Sequence, residues 1–326
     1  MPDNPESNLT RRAVLGSLAV AAAATKPHAA EKEWKPRLGV LGQFTEANVA
    51  FASQEGFTNM ILSATPRSTI DAANITDDQV EKIRATLKQY NMHVSAFQDS
   101  QNHIAADASE RQRDNDYFVK LIELAGKLGI PYIGTASGKD TTLPFQKQVD
   151  EIVQVYTGKY FPACEKNHVS ILWEPYPGGP NIGTSPVAYD ALFKGFGDSP
   201  YVGLQYDPSH LVWQMMDPIQ CARDFVGKIY DVHLKDTEIR WDILKRGGIN
   251  PVDRAHWWRY RLPGLGSINW SEFFGVLQSV GYTGAMSIEH EDAFYGAGGH
   301  HGPDFSEDFQ NGFRMGHRYL KQYVPE

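Results

Sequence analysis

Eight short runs of apolar and β-branched residues recur along the chain, separated by stretches whose apolar positions repeat at helical spacing. Short apolar runs bounded by turn residues read as strands, and a period near 3.6 reads as helix. The strand candidates are 37–42, 57–63, 92–98, 130–136, 168–174, 201–207, 229–235 and 285–291. Helix candidates lie between and after them, at 46–55, 77–90, 109–129, 142–166, 186–197, 217–227, 270–281 and 305–322. Thr76-Asp77-Asp78-Gln79 and Ser109-Glu110-Arg111-Gln112 read as capping boxes at two helix starts. Leu121, Leu124, Ala125 and Leu128 share one helical face, and Gly56, Gly129 and Gly281 sit where helices stop. Strand and helix in alternation, eight times over, predict a closed parallel (β/α)8 TIM barrel. An open doubly wound sheet is the competing fold, but no Gly-x-Gly-x-x-Gly follows the first strand. There is no linker, so residues 31–326 read as one domain.

The first thirty residues follow a different pattern. Arg11-Arg12 precede a mild, Ala-rich apolar stretch ending near Ala24. This predicts a twin-arginine export signal over 1–30 and hence an exported, periplasmic protein. The apolar run is roughly a dozen residues, too short to span a bilayer as a helix. No membrane span is expected in the exported form. An oxidising compartment favours disulfides, but Cys164 falls late in one helix and Cys221 early in another, at opposite ends of the barrel wall. Both read as unpaired. Lys plus Arg number 31 against 39 Asp plus Glu, a formal charge of −8. That disfavours a nucleic-acid partner, which requires a basic surface.

Candidate chemistry gathers at the ends of four strands, where a parallel barrel presents one side chain per strand to a shared centre. Glu174 ends HVSILWEP, Asp207 ends YVGLQYDPSH, His233 lies in KIYDVHLKD, and Glu289 in GAMSIEHED. Two Glu, one Asp and one neutral imidazole make an oxygen-rich site for one divalent metal, Mn²⁺ above all, with Mg²⁺ or Co²⁺ also suited. Strand alternation puts Lys235 on the side of His233, Glu291 on that of Glu289, and Gln205 on that of Asp207. The segment 236–269 is long for a loop of a compact domain, and such loops serve as lids or binding loops. It carries His256, Trp257, Trp258, Arg259, Arg261 and Pro263-Gly264. His256, Trp257 and Arg259 are its candidates for contact with substrate. The alternative is that the adjacent tryptophans pack against a neighbouring subunit.

These elements resemble the xylose-isomerase-like superfamily of sugar isomerases and epimerases over nearly the whole of 31–326. The resemblance rests on Trp173-Glu174-Pro175, Asp207-Pro208-Ser209-His210, His233-Leu234-Lys235-Asp236, Leu262-Pro263-Gly264-Leu265-Gly266-Ser267-Ile268-Asn269-Trp270 and Ser287-Ile288-Glu289. It implies that Glu174, Asp207, His233 and Glu289 hold the metal, that Glu174 and Glu289 move protons, and that His210 contacts substrate. Lys235 would polarise a substrate oxygen or pair with a carboxylate. The implied activity is isomerisation or epimerisation of a keto-sugar through an enediolate. Elimination from a keto-inositol or 3-keto-glycoside begins with the same proton abstraction and stays open. So does a sugar-binding barrel without catalysis, although binding alone needs no paired acid and base. The related DNA-repair endonuclease IV needs further His ligands on early strands, and the second strand here ends in Leu62-Ser63.

Overall fold

The computed structural model describes residues 34–197, 199–297 and 302–324. The expected export signal over 1–30 lies outside them. The described residues pack as one compact unit.

The strands are β1 (Arg37–Gly42), β2 (Asn59–Ser63), β3 (His93–Gln98), β4 (Tyr132–Thr135), β5 (Ser170–Trp173), β6 (Val202–Tyr206), β7 (Ile229–Leu234), β8 (Asp236–Ile239), β9 (Trp258–Arg261) and β10 (Ala285–Ile288). All but β8 and β9 close into one parallel barrel in the order β1-β10-β7-β6-β5-β4-β3-β2. The expected TIM barrel is the observed fold. Helices α1 (Glu46–Gln54), α2 (Asp77–Gln89), α3 (Ala108–Leu128), α4 (Phe145–Val155), α5 (Phe161–Asn167) and α6 (Pro186–Phe196) follow the first five strands. After β6 come α7 (Pro208–Trp213) and α8 (Pro218–Phe225), then α9 (Trp241–Gly247) between β8 and β9, α10 (Trp270–Ser279) and α11 (Glu307–Leu320). Among the described residues no helix is long and apolar enough to cross a membrane.

Strand alternation decides what faces the centre. Trp173 points outward and packs on Phe193 and Phe196 of α6 and on Tyr156, with ring centroids 5.3, 5.7 and 6.2 Å apart. Its neighbour Glu174 must then point inward. Most strands end one to three residues before the predicted ends, so Glu174, Asp207 and Glu289 sit just beyond the last paired residue, where backbone and side chain turn toward the mouth.

Three local expectations change. The Thr76 capping box forms as predicted. The start of α3 does not use Ser109: Asp107 is the N-cap, accepting from the Glu110 N–H at 2.8 Å. A carboxylate satisfies a helix N-terminus and also complements its dipole. The long helix predicted over 142–166 is α4 and α5 joined by a π turn at Tyr156–Tyr160. Finally, the segment 236–269 is no irregular loop: β8 and β9 form an antiparallel hairpin, with Asp236 opposite Arg261 and Ile239 opposite Trp258.

Candidate metal centre

Asp207 begins the site. It is the N-cap of α7, and its Oδ1 accepts from the Ser209 N–H at 2.8 Å. The cap fixes the carboxylate and leaves Oδ2 directed at the centre. Oδ2 lies 3.2 Å from Lys235 Nζ, 3.4 Å from His210 Nε2 and 3.8 Å from His233 Nδ1. Glu174 Oε1 lies 3.1 Å from His210 Nε2 and 3.3 Å from His233 Nδ1, while its Oε2 accepts from Gln98 Nε2 at 2.8 Å. Glu289 Oε2 is 3.0 Å from His233 Nδ1 and 2.6 Å from Lys235 Nζ. Three carboxylates from β5, β6 and β10 thus converge on two imidazoles and one ammonium.

The electrostatics follow from this crowding. Burial alone raises the Glu174 carboxyl, but the facing His233 and His210 reverse this and hold it well below the usual range. Burial likewise opposes ionisation of Glu289, and Lys235 together with His233 brings its carboxyl down to about 2. His233 moves the other way. Burial disfavours its charge, yet Glu289 and Glu174 push its imidazole well above the ordinary value. Lys235 is raised in the same manner by Asp207, Glu289 and Glu291.

The donor set fits a divalent cation. Glu174, Asp207, His210 and Glu289 each offer one atom within 4.8 Å of all the others. His233 Nδ1 lies within 3.8 Å of the same three carboxylates. Either imidazole completes three carboxylates and one nitrogen, a hard, oxygen-rich set. Asp207 Oδ2 and His233 Nε2 are buried and form no hydrogen bond among the described residues. The Lys235 ammonium already faces Asp207 Oδ2 at 3.2 Å, so the fit to a divalent cation rests on the donor set itself.

Around His210 stands an aromatic wall. Tyr260 Oη lies 2.9 Å from His210 Nδ1 and accepts from Trp213 Nε1 at 3.2 Å. Trp213 stacks flat on Trp258 at 4.5 Å, and Tyr176 packs on His210 at 5.1 Å. Lys235 Nζ sits 4.5 Å over the Tyr260 ring. Of the candidate substrate contacts, His210 and Lys235 are in the cluster. Trp257, His256 and Arg259 are not brought into it. Trp257 is buried and donates its indole N–H to the Ile249 carbonyl. His256 is exposed, and its carbonyl accepts from Arg240. Arg259 forms a fork with Glu238 at 2.7 and 3.0 Å and lies over Phe294. Of this loop, Tyr260 reaches the site, backed by Trp258. Tyr260 could have been selected by hairpin alternation, had the loop been recognised as paired strands.

Asp236 ties this loop to the barrel. Its carboxylate accepts from the N–H groups of Thr237, Gly264 and Ile268 and from Trp270 Nε1, at 2.8 to 3.1 Å. Gly264 has φ +87°, a conformation that favours glycine and reverses the chain here.

A closed parallel barrel with convergent carboxylates and imidazoles at the carboxyl ends of its strands is the architecture of a barrel enzyme. Residues 49–311 match the family described as xylose isomerase-like TIM barrel, and the chain belongs to that family. The family uses a divalent metal. The chain is 30% identical over 261 residues to the uncharacterized protein YfiH of Bacillus subtilis, covering 71% of this chain and 81% of that one. It is 34% identical over 97 residues to an inosose dehydratase of Clostridium tetani, covering 29% of this chain and 32% of the relative. A solved structure of D-psicose 3-epimerase in the presence of D-fructose superimposes with a TM-score of 0.66 at 15% identity, over 89% of this chain and 100% of that one.

Proposed function

We propose that the protein is a divalent-metal-dependent isomerase or epimerase of an uncharged keto-sugar or related carbohydrate. The observation that carries this reading is the convergence of the Glu174 and Glu289 carboxylates, 3.3 and 3.0 Å from the same atom, His233 Nδ1. Two carboxylates that flank a substrate carbon can take a proton from one face and return it to the other. The metal, Mn²⁺ in this reading, supplies positive charge to the oxygens of the substrate as the C–H bond ionises. Glu174, Asp207, His233 and Glu289 hold it. His210, buttressed by Tyr260 and Tyr176, and Lys235 contact the sugar. The reading of an uncharged substrate is supported by the pairing of the cations here. Lys235 is shared among carboxylates, Arg259 is held by Glu238, and Arg261 by Asp292 and Glu238. A phosphate or carboxylate substituent finds no free cation among these three.

Elimination of water is the second reading, favoured by the local likeness to inosose dehydratase. It uses the same proton abstraction and then loses a hydroxyl. Purified protein with Mn²⁺, incubated in D₂O with ketoses, a keto-inositol and 3-keto-glycosides, separates these outcomes. Deuterium at a substrate carbon with mass otherwise unchanged is isomerisation or epimerisation, and loss of water is elimination. Deuterium entry into none of the panel would leave the barrel as a binding protein. Export, supported by Arg11-Arg12 and the Ala-rich stretch, is part of the same proposal. Its test is fractionation after substitution of both arginines by lysine. A pairing of identical subunits is tested by solution mass.

A further inference from the structure

Beneath the carboxylate cluster the barrel interior is polar. Asp231 Oδ2 accepts from Ser95 Oγ at 3.1 Å and from Gln205 Nε2 at 3.4 Å. Asn59 donates to Ser95 Oγ at 2.9 Å and to Ser287 Oγ at 3.0 Å, and its Oδ1 lies 2.7 Å from His93 Nδ1. Above them Gln98 donates to Glu174 Oε2.

These contacts fix the orientation of two amides. Gln98 must direct its nitrogen at Glu174 and Gln205 must direct its nitrogen at Asp231, because either amide turned over would set a carbonyl oxygen against a carboxylate. Both Oε1 atoms are therefore forced to point the other way. Both are buried, and neither accepts a hydrogen bond from the described residues. Both pack against Gly134 and are near neighbours of one another. A Cβ built there would lie 1.9 Å from Gln205 Oε1 and 2.5 Å from Gln98 Oε1. Gly134 is not among the residues with positive φ, so its missing side chain serves space, not backbone freedom.

We propose that one water molecule lies between these two oxygens at hydrogen-bond distance from each, donates one proton to Gln98 Oε1 and the other to Gln205 Oε1, and that the bridge orients Glu174. Two convergent acceptors with no protein donor call for a molecule with two donors. Water satisfies both at ordinary hydrogen-bond length, and the two oxygens lie close enough for one water to span them. A dehydrated metal cation would need several more oxygens than the two left unbonded here. The neighbouring Ser95 hydroxyl is already committed to Asp231. With the water in place, hydrogen bonds run without a break from Glu174 through Gln98, the water, Gln205, Asp231, Ser95 and Asn59 to His93 at the other end of the barrel. Gln98 and Gln205 are positioning residues: they act on Glu174 and touch no substrate.

A crystal structure of the full chain with Mn²⁺, at a resolution that shows other buried waters, tests the site. The expected result is a single peak about 2.6 to 3.2 Å from both Oε1 atoms. No peak there, or a peak with short contacts of about 2.4 Å to five or more oxygens as a cation would make, overturns the assignment. Gln205→Met keeps the bulk of the side chain, removes one acceptor and does not touch Glu174. In that variant the peak is expected to vanish and Glu174 to adopt a second rotamer. Under the function proposed above, kcat falls about tenfold while KM and the melting temperature stay near parental values. A Glu174 rotamer and kcat identical to the parent would remove the positioning role. The peak and the rotamer are read without substrate, so a failure of the sugar chemistry is distinguishable from a failure of this proposal.

Discussion

Lys235 Nζ lies 2.6 Å from Glu289 Oε2, so a fixed positive charge is in direct contact with a carboxylate proposed to hold the metal. The same ammonium reaches Glu291 at 2.7 Å and Asp207 at 3.2 Å and is 1% exposed. A buried charge is tolerated only with such compensation. The cluster is therefore balanced in part by its own lysine before any divalent cation binds.

Lys235→Met should separate charge balance from chemistry. Without the ammonium the carboxylates are more negative, so Mn²⁺ should bind at least as tightly as in the parent. Turnover should fall at least about tenfold, because the cation beside the substrate oxygens is gone. Calorimetry with Mn²⁺ and steady-state kinetics read both. Parental turnover would reduce Lys235 to a counter-ion.

The two imidazoles should divide the work. His233→Ala is expected to weaken Mn²⁺ binding by at least about tenfold, the scale of losing part of a metal site. His210→Ala should bind Mn²⁺ nearly normally and lose turnover. The reverse pattern would make His210 the nitrogen ligand, which its place among the mutually close donors also allows.

Glu174→Gln and Glu289→Gln should each lower kcat at least about a hundredfold at saturating Mn²⁺, the usual scale of acid–base catalysis. The amide retains size and an acceptor oxygen but takes no proton. Near-normal kcat in either variant would remove that residue from proton transfer.

Metal binding should release a proton near neutrality. Before metal binds, Glu289 and Glu174 hold the His233 imidazole well above its usual value, against the effect of burial, and so favour its protonated form. A metal needs it neutral. The Glu174 and Glu289 carboxyls lie below their ordinary range and contribute no proton there. Lower pH therefore favours the proton over the metal. Mn²⁺ affinity should rise about tenfold per unit from pH 6 upward and level off once the raised imidazole value is passed. Titrations in buffers of different ionisation enthalpy count the protons, and a count of zero would contradict this.

The hairpin should behave as a clamped arm with a movable tip. Arg261 joins it to Asp292 at 2.7 Å, so its base is tied to the strand end that carries Glu289, and the bond from Arg261 to Glu238 at 2.6 Å links β9 to β8. Substrate should slow amide exchange in 241–257 while β8 and β9 stay protected throughout. Tyr260→Phe, which removes the hydroxyl facing His210, should lower kcat/KM about tenfold. Exchange that follows protein concentration and ignores substrate would point to a subunit contact instead.

Much of this was legible in the sequence. Alternation of short apolar runs with helical periods specifies a parallel barrel, because strands buried on both faces and amphipathic helices admit few other packings. Glu174, Asp207, His233 and Glu289 were visible as polar residues ending such runs, and alternation carried Lys235 to the side of His233. The loop was the weak point. His256, Trp257 and Arg259 looked like substrate contacts by residue type alone, but the His256 side chain is exposed and those of Trp257 and Arg259 are engaged by Ile249 and Glu238. Tyr260 lay among them unremarked, because its direction depends on β8 pairing with β9.

The sequence by itself determined the barrel, the order of its strands and the acidic character of the centre, since these follow from local periodicity and side-chain alternation. Tertiary structure alone decided which atoms meet. Gln98 reaches Glu174 across 76 positions of the chain, and Tyr260 reaches His210 across 50. Barrel closure, strand register and the fold of the hairpin set such distances, and no local pattern encodes them.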